Sequence, residues 1–187
     1  MFGKEPNRFL VSQRALFSPK QQVLAAGDGE GRNGVWLAQQ GLNVLAVDYS
    51  AVALAKAKSL AAQAGVALET EQADLATWNW GEQRFEFIVA IFIQFAAPPL
   101  RTAIHRAMQR ALKPGGLIVL QGYTPKQLEY RAGGPSELEK LDTAAQLAQD
   151  FVGMDMLLLR EHEEMLNEGS AHSGMSALVD LVARKTS

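Results

Sequence analysis

Between Gln22 and Ser50 the chain reads QVLAAGDGEGRNGVWLAQQGLNVLAVDYS, and few folds accept that order of residues. Val23 to Ala26 form a short apolar run bounded by glycine, which suits a strand buried on both faces. Gly27, Gly29 and Gly31 follow at alternate positions. Without Cβ atoms they permit a tight turn and let a ligand lie against bare backbone. The spacing of Val35, Leu37 and Ala38 predicts a helix from Arg32 to Gln40, closed by Gly41 at C′. Asn43 to Val47 then make a second strand, with Asp48 at its carboxyl end. That is half of a nucleotide-binding unit.

Two cofactor classes use such a unit. Gly29-x-Gly31-x-x-Gly34 matches the dinucleotide fingerprint, with Asp48 placed to hold a ribose about 20 residues on. Gly27-x-Gly29-x-Gly31, directly after the strand, is the other pattern, and the remaining chain bears on the choice. Ser50 caps an alanine-rich helix, Ala51 to Ala64, ended by Gly65. Val66 to Thr70 predict a third strand, followed by the acid Asp74 and by Trp78 and Trp80, both packing or turn residues. Phe85 to Phe92 predict a fourth, fully buried strand whose end points into the same crevice as the glycine turn. A helix from Pro99 to Leu112 follows, with His105 on its solvated side. The turn Leu112-Lys113-Pro114-Gly115-Gly116 feeds a fifth strand, Leu117 to Gln121.

After it comes the irregular stretch GYTPKQLEYRAGGP, with Tyr123, Tyr130 and Arg131. Ser136-x-x-Glu139 has the form of a capping box opening a helix toward Phe151, closed by Gly153. Met154 to Met165 and Ala177 to Arg184 alternate as two antiparallel strands joined by a turn over Asn167 to Gly174. His162 falls on a strand face and His172 in that turn. At the other end, Asn7 is placed to cap a helix from Arg8 to Leu16, and Phe2-Gly3-x-x-Pro6 precedes it. Residues 1–19 are either a helix packed at the sheet edge or a flap over the cofactor.

A chain of 187 residues with 48% hydrophobic and 20% charged residues suits one globular domain spanning 1–187. The net charge of −2 and the lack of any Lys/Arg run give no support to a nucleic-acid or anionic-membrane partner. With no cysteine, thiolate chemistry and disulfides are excluded, and no metal ligand set is expected. No apolar stretch approaches the ~20 residues of a membrane-spanning helix, and no signal-peptide pattern opens the chain, so the expected location is cytoplasmic.

The glycine pattern, Gly29-Glu30-Gly31-Arg32-Asn33, the Lys113 to Gly116 turn and the closing strand pair together resemble the class I S-adenosylmethionine-dependent methyltransferases. The opening segment and GYTPKQLEYRAGGP narrow the likeness to the small bacterial branch related to tellurite-resistance and thiopurine S-methyltransferases. The resemblance implies an α/β, Rossmann-like, doubly wound sheet of seven mostly parallel strands, with the last inserted antiparallel beside the fifth. It implies S-adenosylmethionine as cofactor, bound by Gly27, Asp28, Gly29, Glu30, Gly31, Asn33, Asp48, Tyr49, Ser50, Asp74, Leu75, Ala90 and Phe92. In the family the glycine turn takes the methionine part, the acid at Asp48 both ribose hydroxyls, and the acid at Asp74 the adenine amino group. It also implies a small-molecule acceptor, with residues 122–153 built over the acceptor side, in a monomer or weak dimer.

There are departures. Ala25 stands where the family often has an acid, leaving Asp28 and Glu30 as substitutes for its contact with the cofactor's amino group. Gln94 replaces a common histidine or asparagine, and Phe95-Ala96-Ala97 lacks a common proline. The candidates for catalysis are Gln94, Tyr123 and His172, with His172 the one conceivable base. A cofactor-binding sensor without transfer activity and a nicotinamide-dependent oxidoreductase stay open as alternatives.

Overall fold

The computed structural model describes residues 3–130, 132–168 and 173–186. Its strands are β1 (Gln22–Ala26), β2 (Asn43–Asp48), β3 (Glu69–Gln72), β4 (Phe85–Ile91), β5 (Leu112–Tyr123), β6 (Met154–Asn167) and β7 (Ser173–Lys185). They form one sheet in the order β3-β2-β1-β4-β5-β7-β6. The first five run parallel, and β7 lies antiparallel to both β5 and β6. The doubly wound sheet with an inverted last strand is as the sequence predicts. Side chains alternate across β1: Leu24 and Ala26 join the apolar layer on one face, Val23 and Ala25 the layer on the other. Burial on both faces is what the unbroken apolar runs require.

One face carries α4 (Leu100–Ala111) and α6 (Ala144–Asp150), with the single turn α5 (Gln127–Tyr130) between them in sequence. The other carries α1 (Arg8–Ser12) and α2 (Arg32–Gln39), with α3 (Ala51–Ala64) beside α2. Asn7 caps α1 as expected, its Oδ1 accepting from the Leu10 N–H at 2.9 Å. The helix breaks after Ser12 into a short 3-10 turn, Arg14–Leu16. Phe9, Leu10 and Phe17 pack on the sheet face against Val23, Phe87 and Val119, so this segment covers a face and not an edge.

Three other expectations change. The Lys113 to Gly116 turn is a bulge inside β5: pairing jumps from Phe85↔Leu112 to Phe87↔Leu117, and Lys113 is tied to Glu86 of β4 at 2.5 Å. The helix foreseen from Ser136 to Phe151 is only α6, capped by Thr143 with Gln146 in a capping box. Arg101 takes the Glu139 and Leu141 carbonyls at 3.1 Å each, acceptors that a helix through those residues would need for itself. The third strand starts at Glu69, because the parallel register with β2 begins at Leu45↔Glu69.

His105 is the largest correction. Its ring is 3% exposed, with Nδ1 2.8 Å from an Asp150 oxygen and the face 4.9 Å from the Phe151 ring. α6 covers it, and nothing local in the sequence of α4 announces that cover. His105→Ala should therefore cost about 2–4 kcal/mol, from lost packing and a carboxylate left with Thr102 as its remaining side-chain partner. Urea unfolding checks this, and a cost below about 0.5 kcal/mol would mean that α6 does not cover the ring.

Candidate functional site

The carboxyl ends of β1, β2 and β4 converge on the glycine turn. Gly27 sits at φ +62° and its N–H reaches the Val47 carbonyl at 2.8 Å, joining the turn to the end of β2. Gly31, at φ +91°, is the residue before α2, and a Cβ there would lie 2.5 Å from Ala57 Cβ. Only glycine lets α3 approach the turn so closely. Around Gly29 a Cβ would meet nothing within 4 Å, so the middle of the turn has an open face.

Asp48 sits across this turn. One oxygen accepts from the Gly29 N–H and the other from the Ser50 N–H, each at 2.8 Å. Ser50 in turn caps α3 through the Ala53 N–H. Asp48's carbonyl accepts from the Ala73 N–H at 3.0 Å, which brings Asp74 and Leu75 to the same end of the sheet. Leu75 is buried, Tyr49 is 76% exposed and Ala90 is fully buried in β4. A small cavity of about 70 Å³ at the turn is lined by Gly27, Asp28, Gly29, Glu30, Arg32, Asn33, Ile91 and Phe92. Six of the sequence-predicted cofactor residues thus share one cavity, and Asp48 and Ser50 adjoin it.

Asp28 and Glu30 do not lie in equivalent settings. Glu30 is paired with Lys56 of α3 at 2.5 Å. The Asp28 carboxylate accepts from the Gly34 N–H, at 3.1 and 3.2 Å, and so caps the first turn of α2, where Gly31 has no side chain to offer. A Cβ at Gly34 would press on that carboxylate and force it to shift. Burial pushes the Asp28 carboxyl up to about 7, and the Asp48 charge adds to it, against the opposing pull of the Gly34 N–H and Arg32.

Just beyond β4, Gln94 is spliced between strand ends. Its Nε2 donates to the Tyr123 carbonyl and to Asp142 Oδ2 at 2.8 Å each, and its Oε1 accepts from the Tyr123 N–H at 2.5 Å. Tyr123 is 1% exposed, with its ring stacked on Phe92 at 4.7 Å. Burial raises its phenol well above the usual range, and the Glu168 charge adds to this. Asp142 is buried against Arg101, and desolvation raises its carboxyl despite that cation. His172, Arg131 and Phe2 lie outside the described residues. His162 is on β6, with Nε2 2.9 Å from a buried Asp180 oxygen.

The sequence reading missed Arg32 and Glu168 and saw in Asn7 only a helix cap. Arg32 lines the turn cavity, is itself buried, and pairs with Glu168 at 2.8 Å. Its signal was available, a basic residue directly after the last turn glycine, but its partner lies at the far end of the chain. Arg32 also walls a larger cleft of about 750 Å³, which runs along α2 past Val35, Trp36 and Leu60. That cleft lies beside the strand ends and not at them, so its size does not make it the site.

Residues 23–116 match the family model described as a methyltransferase domain, half of the chain, and the protein belongs to that family. It is 30% identical over 110 residues to the uncharacterized methyltransferase YodH of Bacillus subtilis, covering 58% of this chain and 46% of that protein. It is 32% identical over 119 residues to the uncharacterized methyltransferase sll0829 of Synechocystis, covering 63% and 54%. The chain spans about half the length of these curated relatives. Its fold superposes on TehB from Haemophilus influenzae with a TM-score of 0.79 at 20% identity, covering 95% of this chain and 61% of TehB. A SAM-dependent methyltransferase from Methanosarcina mazei gives 0.75 at 17% identity, over 97% and 99% of the two chains. S-adenosylmethionine is the cofactor that this membership implies.

The Asp28 setting has a measurable consequence. Its folded-state pKa lies above the unfolded value, so the stability tied to its protonated form is complete at about pH 4 and is lost as pH rises through about 7. Asp28→Asn keeps an acceptor for Gly34 without the charge. The variant should match the wild type near pH 4 and exceed it at pH 8 by on the order of 1 kcal/mol, roughly 2–4 °C in a chain of this size. Thermal melts across that range check the crossover, and an Asn variant less stable at pH 8 would contradict it.

Proposed function

We propose that this protein transfers the methyl group of S-adenosylmethionine to a small-molecule acceptor. The observation that carries the reading is the Asp48 carboxylate, fixed by the Gly29 and Ser50 N–H groups at the mouth of the turn. Two accepted hydrogen bonds set its orientation and leave lone pairs for two ribose hydroxyls. The open face of Gly29 suits the methionine part, with Gly27, Gly31 and Asn33 alongside, and Asp74, Leu75 and Tyr49 suit the adenine. Phe92, directly after β4, lines the cavity, and Ala90 lies buried in the strand before it. When bound, the cofactor's sulfonium supplies an electrophilic methyl group. What remains for the chain is to orient the acceptor in line and to exclude water.

Under this reading Tyr123 and Gln94 would shape the acceptor side. The Gln94 amide is committed to the Tyr123 backbone and Asp142, which supports a positioning role. Such a site suits a soft nucleophile, a thiol or a chalcogen oxyanion, because an acceptor already anionic near neutral pH needs no general base. One continuous sheet supports treating residues 1–187 as one domain. A cofactor sensor without transfer activity is the second reading, favoured by the commitment of the Gln94 amide to the Tyr123 backbone and Asp142 and by the burial of Tyr123.

S-adenosylhomocysteine should bind the wild type and raise its melting temperature, while NAD and NADP should do neither. Asp48→Ala should weaken that binding about ten- to a hundredfold, since hydrogen bonds to a charged acceptor contribute roughly 1.5–3 kcal/mol. Calorimetry on the folded variant checks this, and unchanged affinity would place the ribose elsewhere. Methylated product from a panel of thiols and chalcogen oxyanions separates the enzyme from the sensor.

A pH–rate series on two acceptors of different pKa then tests the mechanism. Each profile should follow its own acceptor's ionisation. A single inflection common to both would reveal a protein base.

A further inference from the structure

Glu168 follows directly after β6, and its side chain is almost wholly buried. Its carboxylate collects donors from two remote stretches of chain. Arg32 Nη1 lies at 2.8 Å, the Arg8 N–H at 3.0 Å, and Asn7 Nδ2 at 3.2 Å from each oxygen. Its carbonyl accepts from the Gly3 N–H at 3.3 Å. Asn7 extends the set: its N–H donates to Asn33 Oδ1 at 2.9 Å and its Nδ2 to Gln121 Oε1 at 2.7 Å. Gln121 passes the chain of bonds to Asp180 of β7 at 2.6 Å. Arg32 and Asn33 are the first two residues of α2, and both line the cavity at the glycine turn.

We propose that Glu168 is a positioning residue for cofactor binding, holding the strap of residues 3–8 against Arg32 and Asn33 and thereby fixing one wall of the crevice. This rests on the cofactor reading under Proposed function. Among the described residues, the groups bonded to the Glu168 carboxylate are all donors, and an acceptor with two oxygens satisfies them. An amide at this position turns an NH₂ toward donors and removes the counter-charge of Arg32. The apolar residues that follow the strap in α1, Phe9 and Leu10, are untouched by such a change, so the fold has separate support.

The test is calorimetry of S-adenosylhomocysteine binding together with hydrogen exchange at the amides of residues 3–8. Glu168→Gln should raise the Kd about tenfold, speed exchange at the Arg8 amide, and weaken the protection that the ligand gives the strap. Asn7→Ser, which keeps an acceptor for the Leu10 N–H but loses both Nδ2 bonds, should shift the Kd in the same direction and serves if the first variant does not fold. Thr102→Val, which removes a hydrogen bond to Asp150 on the opposite face of the sheet, should change stability and leave the Kd alone. A wild type that does not bind S-adenosylhomocysteine overturns the cofactor reading and this inference with it. Wild-type binding with a folded Glu168→Gln or Asn7→Ser variant within twofold of it overturns the inference alone, as does an equal Kd rise in Thr102→Val.

Discussion

The crevice depends on one carboxylate meeting two backbone N–H groups. The glycine turn after β1 presents the Gly29 N–H to the end of β2, and α3 begins with amides that no earlier residue of the helix can satisfy. Asp48, at the end of the neighbouring strand, accepts from one of each. That joins the turn after β1, the end of β2 and the start of α3 into one rigid edge. Charge-assisted bonds of this kind are stronger than neutral ones, and they hold a flexible glycine segment in a single conformation. The same acid is then available to a ligand, so the scaffold and the proposed binding group coincide.

Around that edge the chain spends buried polar groups in two clusters on opposite faces of the sheet. One joins Arg101, Asp142, His105 and Asp150 and secures the segment after β5 to α4. The other joins Asn7, Arg32, Glu168, Gln121 and Asp180 and secures the N-terminal segment to α2. Removing one partner of such a pair strands a charge away from water, so each cluster defines where its loop must lie. Gln94 lies between the strand ends and bonds to the first cluster through Asp142. The crevice is therefore bounded by irregular segments that are nonetheless fixed.

The sheet and the glycine turn were legible in the sequence because both are written locally. Apolar runs of strand length, alternate glycines and an acid one strand later each state a backbone requirement within a few residues. Asn7 and Ser50 were legible as caps for the same reason: a cap bonds three residues away. Elements set by distant contacts were not legible. Ser136 to Glu139 has the pattern of a capping box, yet Arg101 claims its downstream carbonyls, and the helix starts only at Ala144. The Lys113 to Gly116 segment has turn residues, yet pairing across β4 keeps it within the strand as a bulge.

By itself, then, the sequence determined the α/β order, the glycine turn and the acids at its mouth, since these follow from backbone sterics and hydrophobic period. Tertiary structure decided which polar side chains are buried and with whom. His105 looks solvated from its neighbours along α4, and α6 buries it. Glu168 looks like an ordinary hairpin acid until the N-terminal segment and Arg32 close around it. The physical reason is that a polar side chain's partner depends on folding of the whole chain. No local period or propensity encodes a bond between residues 32 and 168.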